Sequence, residues 1–361
     1  MKFGLAGGGT GGHAYPAIAV AEVLRAGAPA NNTEVVYYGT LNGPERRAAA
    51  EASIPYRVVP ASQVRGRSPI RVSTGIWRLW RGTRIAAELL REDRPNAVFA
   101  TGGYAAAPIG RACRSEGIPL VVFLPDAYPG WAVRFLSRYA TKIACSVEAS
   151  LEHLPAEKTV VTGYPVRHQF LEATREQGIK RFELDPALQT VLIAGGSLGA
   201  HTINLSIAES LRVLLDRVQL LHICGRDEEH WLARERDKLP EWLRARYHLH
   251  AYTDEMAYAM AAADLAVTRA GASTLGELPM AGLPAVVIPG GFSDQHYNAD
   301  YLEERGAAVT LPHAEVERLG ALIFELLDDQ TRRETMATAM RALARPDATE
   351  RLANLLREVA A

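Results

Sequence analysis

The chain reads as an α/β protein of two doubly wound parallel-sheet domains facing a cleft, and three observations predict it. Its 361 residues exceed a comfortable single core, so two domains are the natural division. Strand and helix patterns alternate along the whole chain, as parallel sheets covered on both faces require. A glycine-rich turn also occurs twice, about half a chain apart, each time between a short apolar run and a helical pattern. The copies are Gly7-Gly8-Gly9-Thr10-Gly11-Gly12-His13 and Gly195-Gly196-Ser197-Leu198-Gly199-Ala200.

Taken in order, the apolar run at 3–6 predicts a strand, and a helix follows from Pro16 to about Arg25. Strands at 34–38, 56–60, 97–100, 120–124 and 142–145 complete an N-terminal domain over residues 1–163. The pattern breaks around Gly163-Tyr164-Pro165, which marks the linker. A C-terminal domain, residues 164–345, restarts with a strand at 190–194 and a helix from about Ala200 to Arg217. Its further strands fall at 219–224, 247–251, 264–267, 285–288 and 308–311. Asp347 and Glu350 have the spacing of a capping box, so residues 346–361 form a last helix, expected to return to the N-terminal domain.

Composition narrows the function. A formal net charge of -1 argues against a general nucleic-acid binder, so any attraction to anionic surfaces must be local. Cys113, Cys145 and Cys224 lack any CxxC spacing and read as reduced core residues of a cytoplasmic protein. Neither a signal sequence nor an apolar run of bilayer length is present, so the chain is expected neither to be secreted nor to cross a membrane.

Strand, glycine turn and helix together aim free backbone N–H groups and a helix N-terminus at an anion. One such turn is weak evidence; two, each opening its own half, read as two phosphate cradles. Other loops fall at the C-terminal ends of strands, where doubly wound sheets bind ligands. Thr101-Gly102-Gly103-Tyr104 follows the strand at 97–100, residues 269–277 follow that at 264–267, and residues 289–296 follow that at 285–288.

Gly8–His13, Thr101–Tyr104, Gly163–Arg167, Gly195–Ala200, Arg269–Glu277 and Asp294–Ala299 together, in this order, resemble the MurG-type glycosyltransferases. These add N-acetylglucosamine to a lipid-linked muramyl-peptide intermediate of bacterial peptidoglycan. The likeness extends to residues 346–351. It implies the GT-B fold of two Rossmann-like domains, with UDP-N-acetylglucosamine (UDP-GlcNAc) on the C-terminal half and a polyprenyl-diphosphate-linked acceptor on the N-terminal half. The implied donor residues are Arg167, Gly196, Ser197, Gly199, Thr253, Ala272, Ser273, Thr274, Glu277, Asp294 and Gln295. Glu277 matches the acid that holds the ribose, and a helix N-terminal acid complementing the dipole is the competing reading. Asp294 and Gln295 match a pair that holds sugar hydroxyls, and Thr253 matches a loop whose backbone reads uracil. The implied acceptor residues are Thr10, Gly11, Gly12, His13, Gly102, Gly103 and Tyr104.

Two groups compete for the catalytic base. An unperturbed imidazole titrates near neutrality, so His13 is one of them, either taking the proton of the attacking hydroxyl or contacting the acceptor diphosphate. Asp126 is the other, and it lies in a departure from the family. Phe123-Leu124-Pro125-Asp126 stands where close members carry His-Glu-Gln-Asn, leaving open a remodelled acceptor pocket or another lipid acceptor. No Asp-x-Asp pair occurs anywhere in the chain, so no metal is expected. Helix N-termini, Ser197 and Arg167 are expected to stabilise the departing diphosphate instead.

Arg65, Arg67, Arg71, Arg78, Arg81 and Arg84 crowd a stretch that also holds Ile70, Ile76, Trp77, Leu79 and Trp80. Such a mixture suits an anionic membrane surface, each cation contributing about 1 kcal/mol. The alternative is an ordinary amphipathic helix with Trp77 or Trp80 packed inward. With Ile76, Trp77, Arg78, Trp80 and Arg81 as the contact, the protein is expected at the cytoplasmic face of the cell membrane, held peripherally. Rival readings are a transferase with a different lipid acceptor and a UDP-GlcNAc epimerase, against which the tryptophan–arginine stretch argues. A nicotinamide-dependent oxidoreductase is a third, but Glu34 begins the second strand rather than ending it. A non-catalytic sugar-nucleotide sensor is the fourth.

Overall fold

A computed structural model describes residues 1–8, 11–26, 33–61, 69–196, 201–290 and 294–361. Within these, the side chains of residues 11–13, 44 and 69–78 are outside the description. The chain forms two compact units: Met1–Arg167 together with Pro346–Ala361, and His168–Arg345.

The N-terminal unit holds seven strands: β1 (Lys2–Ala6), β2 (Glu34–Gly39), β3 (Tyr56–Val58), β4 (Ala97–Ala100), β5 (Leu120–Leu124), β6 (Lys142–Cys145) and β7 (Thr159–Val161). They lie in the order β3-β2-β1-β4-β5-β6-β7 and every neighbouring pair is parallel. β5, Leu-Val-Val-Phe-Leu, is buried at all five positions. That is the signature of a strand covered on both faces, and it explains why these strands read as apolar runs rather than alternations.

The second unit holds six: β8 (Thr190–Ala194), β9 (Gln219–Ile223), β10 (Tyr247–His250), β11 (Leu265–Arg269), β12 (Ala285–Ile288) and β13 (Ala308–Thr310). Their order is β10-β9-β8-β11-β12-β13, again all parallel. In each unit the strand order reverses beside the first strand, between β1 and β4 and between β8 and β11. Both glycine-rich turns leave the sheet at these switch points, where doubly wound folds place their ligands.

Three local expectations need correction. The first helix is Gly11–Ala26, so it opens inside the glycine stretch rather than at Pro16, which lies within it. Glycine's low helix propensity hides that opening turn from a reading of periodicity. β7 was not anticipated: it is a three-residue edge strand beside β6. The last helix, Ala348–Ala360, is present, but Asp347 makes no side-chain cap. Its carboxylate instead accepts from Arg351 Nε at 2.6 Å. This helix buries Leu352, Ala353, Leu355 and Leu356 and packs on helix Gly11–Ala26, β4 and β5. Arg357 Nη2 donates to the Val23 carbonyl at 3.3 Å. Among the described residues no helix is long and apolar enough to cross a membrane.

Candidate active site

In the N-terminal unit the loops after β1 and β4 meet backbone to backbone. Gly103 has φ +73°, and a Cβ there would collide with the Gly8 carbonyl oxygen. A Cβ on Gly7 would collide with Thr101 Oγ1. Glycine at these positions is therefore a condition of the two loops lying together. Tyr37, buried beneath them, donates its hydroxyl to the Gly7 carbonyl at 3.1 Å. Gly102 (φ 90°) leads into helix Gly103–Glu116, and Tyr104 stands half-buried in its first turn. Gly11, Gly12 and His13 form the opening turn of helix Gly11–Ala26. Thr10 and the His13 side chain lie outside the described residues.

Sequence reasoning missed Glu45. Its side chain is fully buried, and Oε1 accepts from Thr40 N at 3.0 Å and Thr40 Oγ1 at 2.7 Å. Its carboxylate lies flush against Gly8 and Gly43, where no side chain could be added. Tyr56, whose hydroxyl donates to the Thr40 carbonyl at 2.7 Å, closes the arrangement. A buried acid so held supports the loop after β1 from below. The only sequence signal was an acid just after Pro44, indistinguishable from an ordinary helix N-terminal acid.

Three of the four residues at 123–126 turn into the core. Phe123 ends fully buried between Phe99 and Tyr164, with ring centroids 6.1 Å from each. Leu124 and Pro125 are buried as well. Asp126 alone is half-buried, in the turn after β5, where its backbone carbonyl accepts from Ser150 Oγ at 3.3 Å. Arg167 belongs to this N-terminal unit, with its guanidinium 5.5 Å from the centre of the Tyr15 ring on helix Gly11–Ala26. It therefore packs against the helix that follows the first glycine-rich turn.

In the second unit, Gly196 follows β8 with φ +90°, and among the described residues nothing lies within 4 Å of its absent Cβ, while Ser197 and Gly199 lie outside them. Thr268 Oγ1 donates to the Ala194 carbonyl at 2.7 Å and so ties the end of β11 to the end of β8. Ala272 and Ser273 form a turn into helix Thr274–Ala281, and Thr274 donates its hydroxyl to the Gly271 carbonyl at 2.5 Å. Glu277 is half-buried in that helix's first turn. Thr253 Oγ1 accepts from Glu255 N at 3.0 Å, in the loop after β10.

Gln295 Oε1 accepts from Arg269 Nη2 at 3.2 Å and from Gly290 N at 3.0 Å. Asp294 beside it is exposed. Buried Asn298 donates to the Ala270 carbonyl at 3.0 Å, fastening helix His296–Glu304 to the loop after β11. Burial lowers the Arg269 pKa from its ordinary value, and its buried Nε has no partner among the described residues. Among the described residues no group of three or more His, Cys, Asp or Glu side chains could hold a metal ion.

The second unit also holds a polar chain that sequence reading missed. His222 is fully buried, with Nε2 2.9 Å from Asn204 Oδ1 and Nδ1 2.9 Å from Tyr247 Oη. Asn204 Nδ2 donates to the Cys224 carbonyl at 3.0 Å, so its Oδ1 must accept, and His222 is the Nε2–H tautomer. Burial pushes the His222 pKa down to about 3 despite nearby Glu228. Glu228 in turn accepts from Trp231 Nε1 at 2.8 Å and sits 2.8 Å from His201 Nδ1, at the start of helix His201–Arg217.

On helix Pro69–Asp93, Trp80 is 54% exposed and Arg81 is exposed, while the side chains of Ile76, Trp77 and Arg78 lie outside the described residues.

The glycosyltransferase family 28 N-terminal domain matches residues 3–145, and the C-terminal domain of the same family matches residues 190–352. The chain belongs to glycosyltransferase family 28. A curated relative from Roseiflexus sp. (strain RS-1) is 40% identical, covering 99% of this chain and 94% of the relative. It is named UDP-N-acetylglucosamine--N-acetylmuramyl-(pentapeptide) pyrophosphoryl-undecaprenol N-acetylglucosamine transferase. The crystal structure of MurG from Acinetobacter baumannii is similar with a TM-score of 0.78 and 29% identity, covering 99% of each chain. A UDP-GlcNAc 2-epimerase from Neisseria meningitidis has a TM-score of 0.68 at 14% identity, covering 99% of this chain and all of the epimerase chain, which is a likeness of fold alone.

Proposed function

We propose that this protein transfers N-acetylglucosamine from UDP-GlcNAc, with inversion, to undecaprenyl-diphospho-N-acetylmuramyl-pentapeptide, as a step of peptidoglycan precursor synthesis. The observation that carries the proposal is the 40% identity, over nearly the full length of both chains, to a curated transferase named for that reaction. The C-terminal unit supplies the donor site. Helix Thr274–Ala281 presents its N-terminus and Glu277, Asp294 and Gln295 offer polar atoms, and Gly196 leaves room for a phosphate. The N-terminal unit supplies the acceptor site from the joined loops after β1 and β4, with His13 or Asp126 as base. Helix N-termini and cations carry the charge that grows on the departing diphosphate, without a metal. The protein works at the cytoplasmic face of the membrane, held peripherally through Trp80, Arg81 and their neighbours.

A second reading, transfer to a different lipid, is favoured by residues 123–125, which are apolar and buried where the family resemblance implies polar groups. Labelled UDP-GlcNAc offered with a panel of lipid acceptors decides between the two. Transfer to the muramyl-pentapeptide lipid, at full rate in excess EDTA, is the expected result. Transfer to a glycerolipid only would establish the second reading, and strict dependence on an added divalent ion would overturn the metal-free mechanism.

A further inference from the structure

Gln295 has one side-chain amide and two ends with opposite chemistry. Both donors that reach it, Arg269 Nη2 and Gly290 N, converge on the same atom, Oε1. An amide nitrogen could not take that place, since it would set N–H against N–H at both contacts. The amide is therefore fixed, and Nε2, with no partner among the described residues, can only donate. Arg269 is a costly way to achieve this. It stands at the end of β11 with its buried Nε unbonded among the described residues, and no carboxylate among them pairs with it. An orphaned donor of this kind in a native fold calls for a functional reason, because a plain apolar side chain would pack there at lower cost.

We infer that Arg269 is a positioning residue that locks the Gln295 amide so that Nε2 donates to a hydroxyl oxygen of the donor sugar. This rests on the reading of Gln295 as a sugar ligand. With Asp294 beside it able only to accept, the two residues present one donor and one acceptor to neighbouring sugar oxygens. An amide free to flip would spend part of its time presenting its oxygen instead, weakening selection of the sugar. Arg269 then acts on the sugar alone, through Gln295, and not on the UDP moiety.

Affinities for UDP and for UDP-GlcNAc, measured by titration calorimetry on the full chain, separate the possibilities. Arg269→Met should weaken UDP-GlcNAc by about tenfold, the scale of one lost hydrogen bond, and leave UDP unchanged. Gln295→Ala should do the same, and the double variant should be no worse than Gln295→Ala. Gln295→Glu keeps both accepted bonds and loses only the donated one, so it should weaken UDP-GlcNAc while melting like the parent. Arg269→Lys should recover part of the loss. Equal weakening of UDP and UDP-GlcNAc by Arg269→Met would make Arg269 a phosphate ligand and overturn the inference. So would multiplied losses in the double variant, or no change on replacing Arg269. If Gln295→Ala leaves both affinities untouched, the sugar-ligand reading itself fails and the inference falls with it.

Discussion

Single residues carry the close approach of the loops after β1 and β4. Gly103 combines a left-handed φ with a Cβ position filled by the Gly8 carbonyl. Gly103→Ala should therefore destabilise the protein by about 1–3 kcal/mol, read from urea unfolding, and lower transfer further than donor affinity. Glu277→Ala is expected to weaken UDP binding at least about tenfold with an unchanged melting temperature, as loss of a charged hydrogen-bond partner implies. An unaltered UDP affinity would assign Glu277 to the helix dipole alone. Glycines of this sort were legible in the sequence, because a turn with positive φ leaves little choice of residue. Glu45 was not. Its importance comes from lying under Gly8, and nothing about an isolated acid reveals which backbone it will meet. Arg269 was visible as part of a motif, but its unbonded Nε and its hold on Gln295 are facts of three dimensions.

Helices and strands were readable to different degrees for reasons of length and burial. β5 and β8, buried on both faces, announce themselves as apolar runs, whereas β7 has three residues at a sheet edge and little pattern to show. Asp347 shows the limit of a spacing rule: the right residues stand three apart, yet the carboxylate finds Arg351 first. Helix His201–Arg217 is anchored through Asn204 to His222, and this anchor has a pH dependence. Burial depresses the His222 pKa to about 3, below the ordinary value of an unfolded histidine. Its stabilising contribution is full above about pH 6.5 and declines as the pH falls toward 3, because only the unfolded chain takes up the proton there. Burial lowers His248 and His250 in the same sense. Unfolding free energies measured from pH 7 to pH 4 should fall less steeply for His222→Gln than for the parent, although the variant starts less stable.

For the whole molecule, the two sheets with reversing strand order were expected from the repeated strand–glycine–helix layout, and that layout also located both loop clusters. Membrane attachment belongs to this scale. Liposome flotation should retain the protein on anionic vesicles, and charge reversal of Arg78, Arg81 and Arg84 should release it; equal binding after reversal would reject the attachment surface. The helix Ala348–Ala360 has a consequence for biogenesis. A ribosome makes the first 167 residues early, yet the apolar seat on helix Gly11–Ala26, β4 and β5 stays uncovered until all of 168–345 has been translated. The half made first is thus the half finished last. During that interval chaperones have a defined exposed surface to guard, and a premature stop codon late in the message would damage the beginning of the protein.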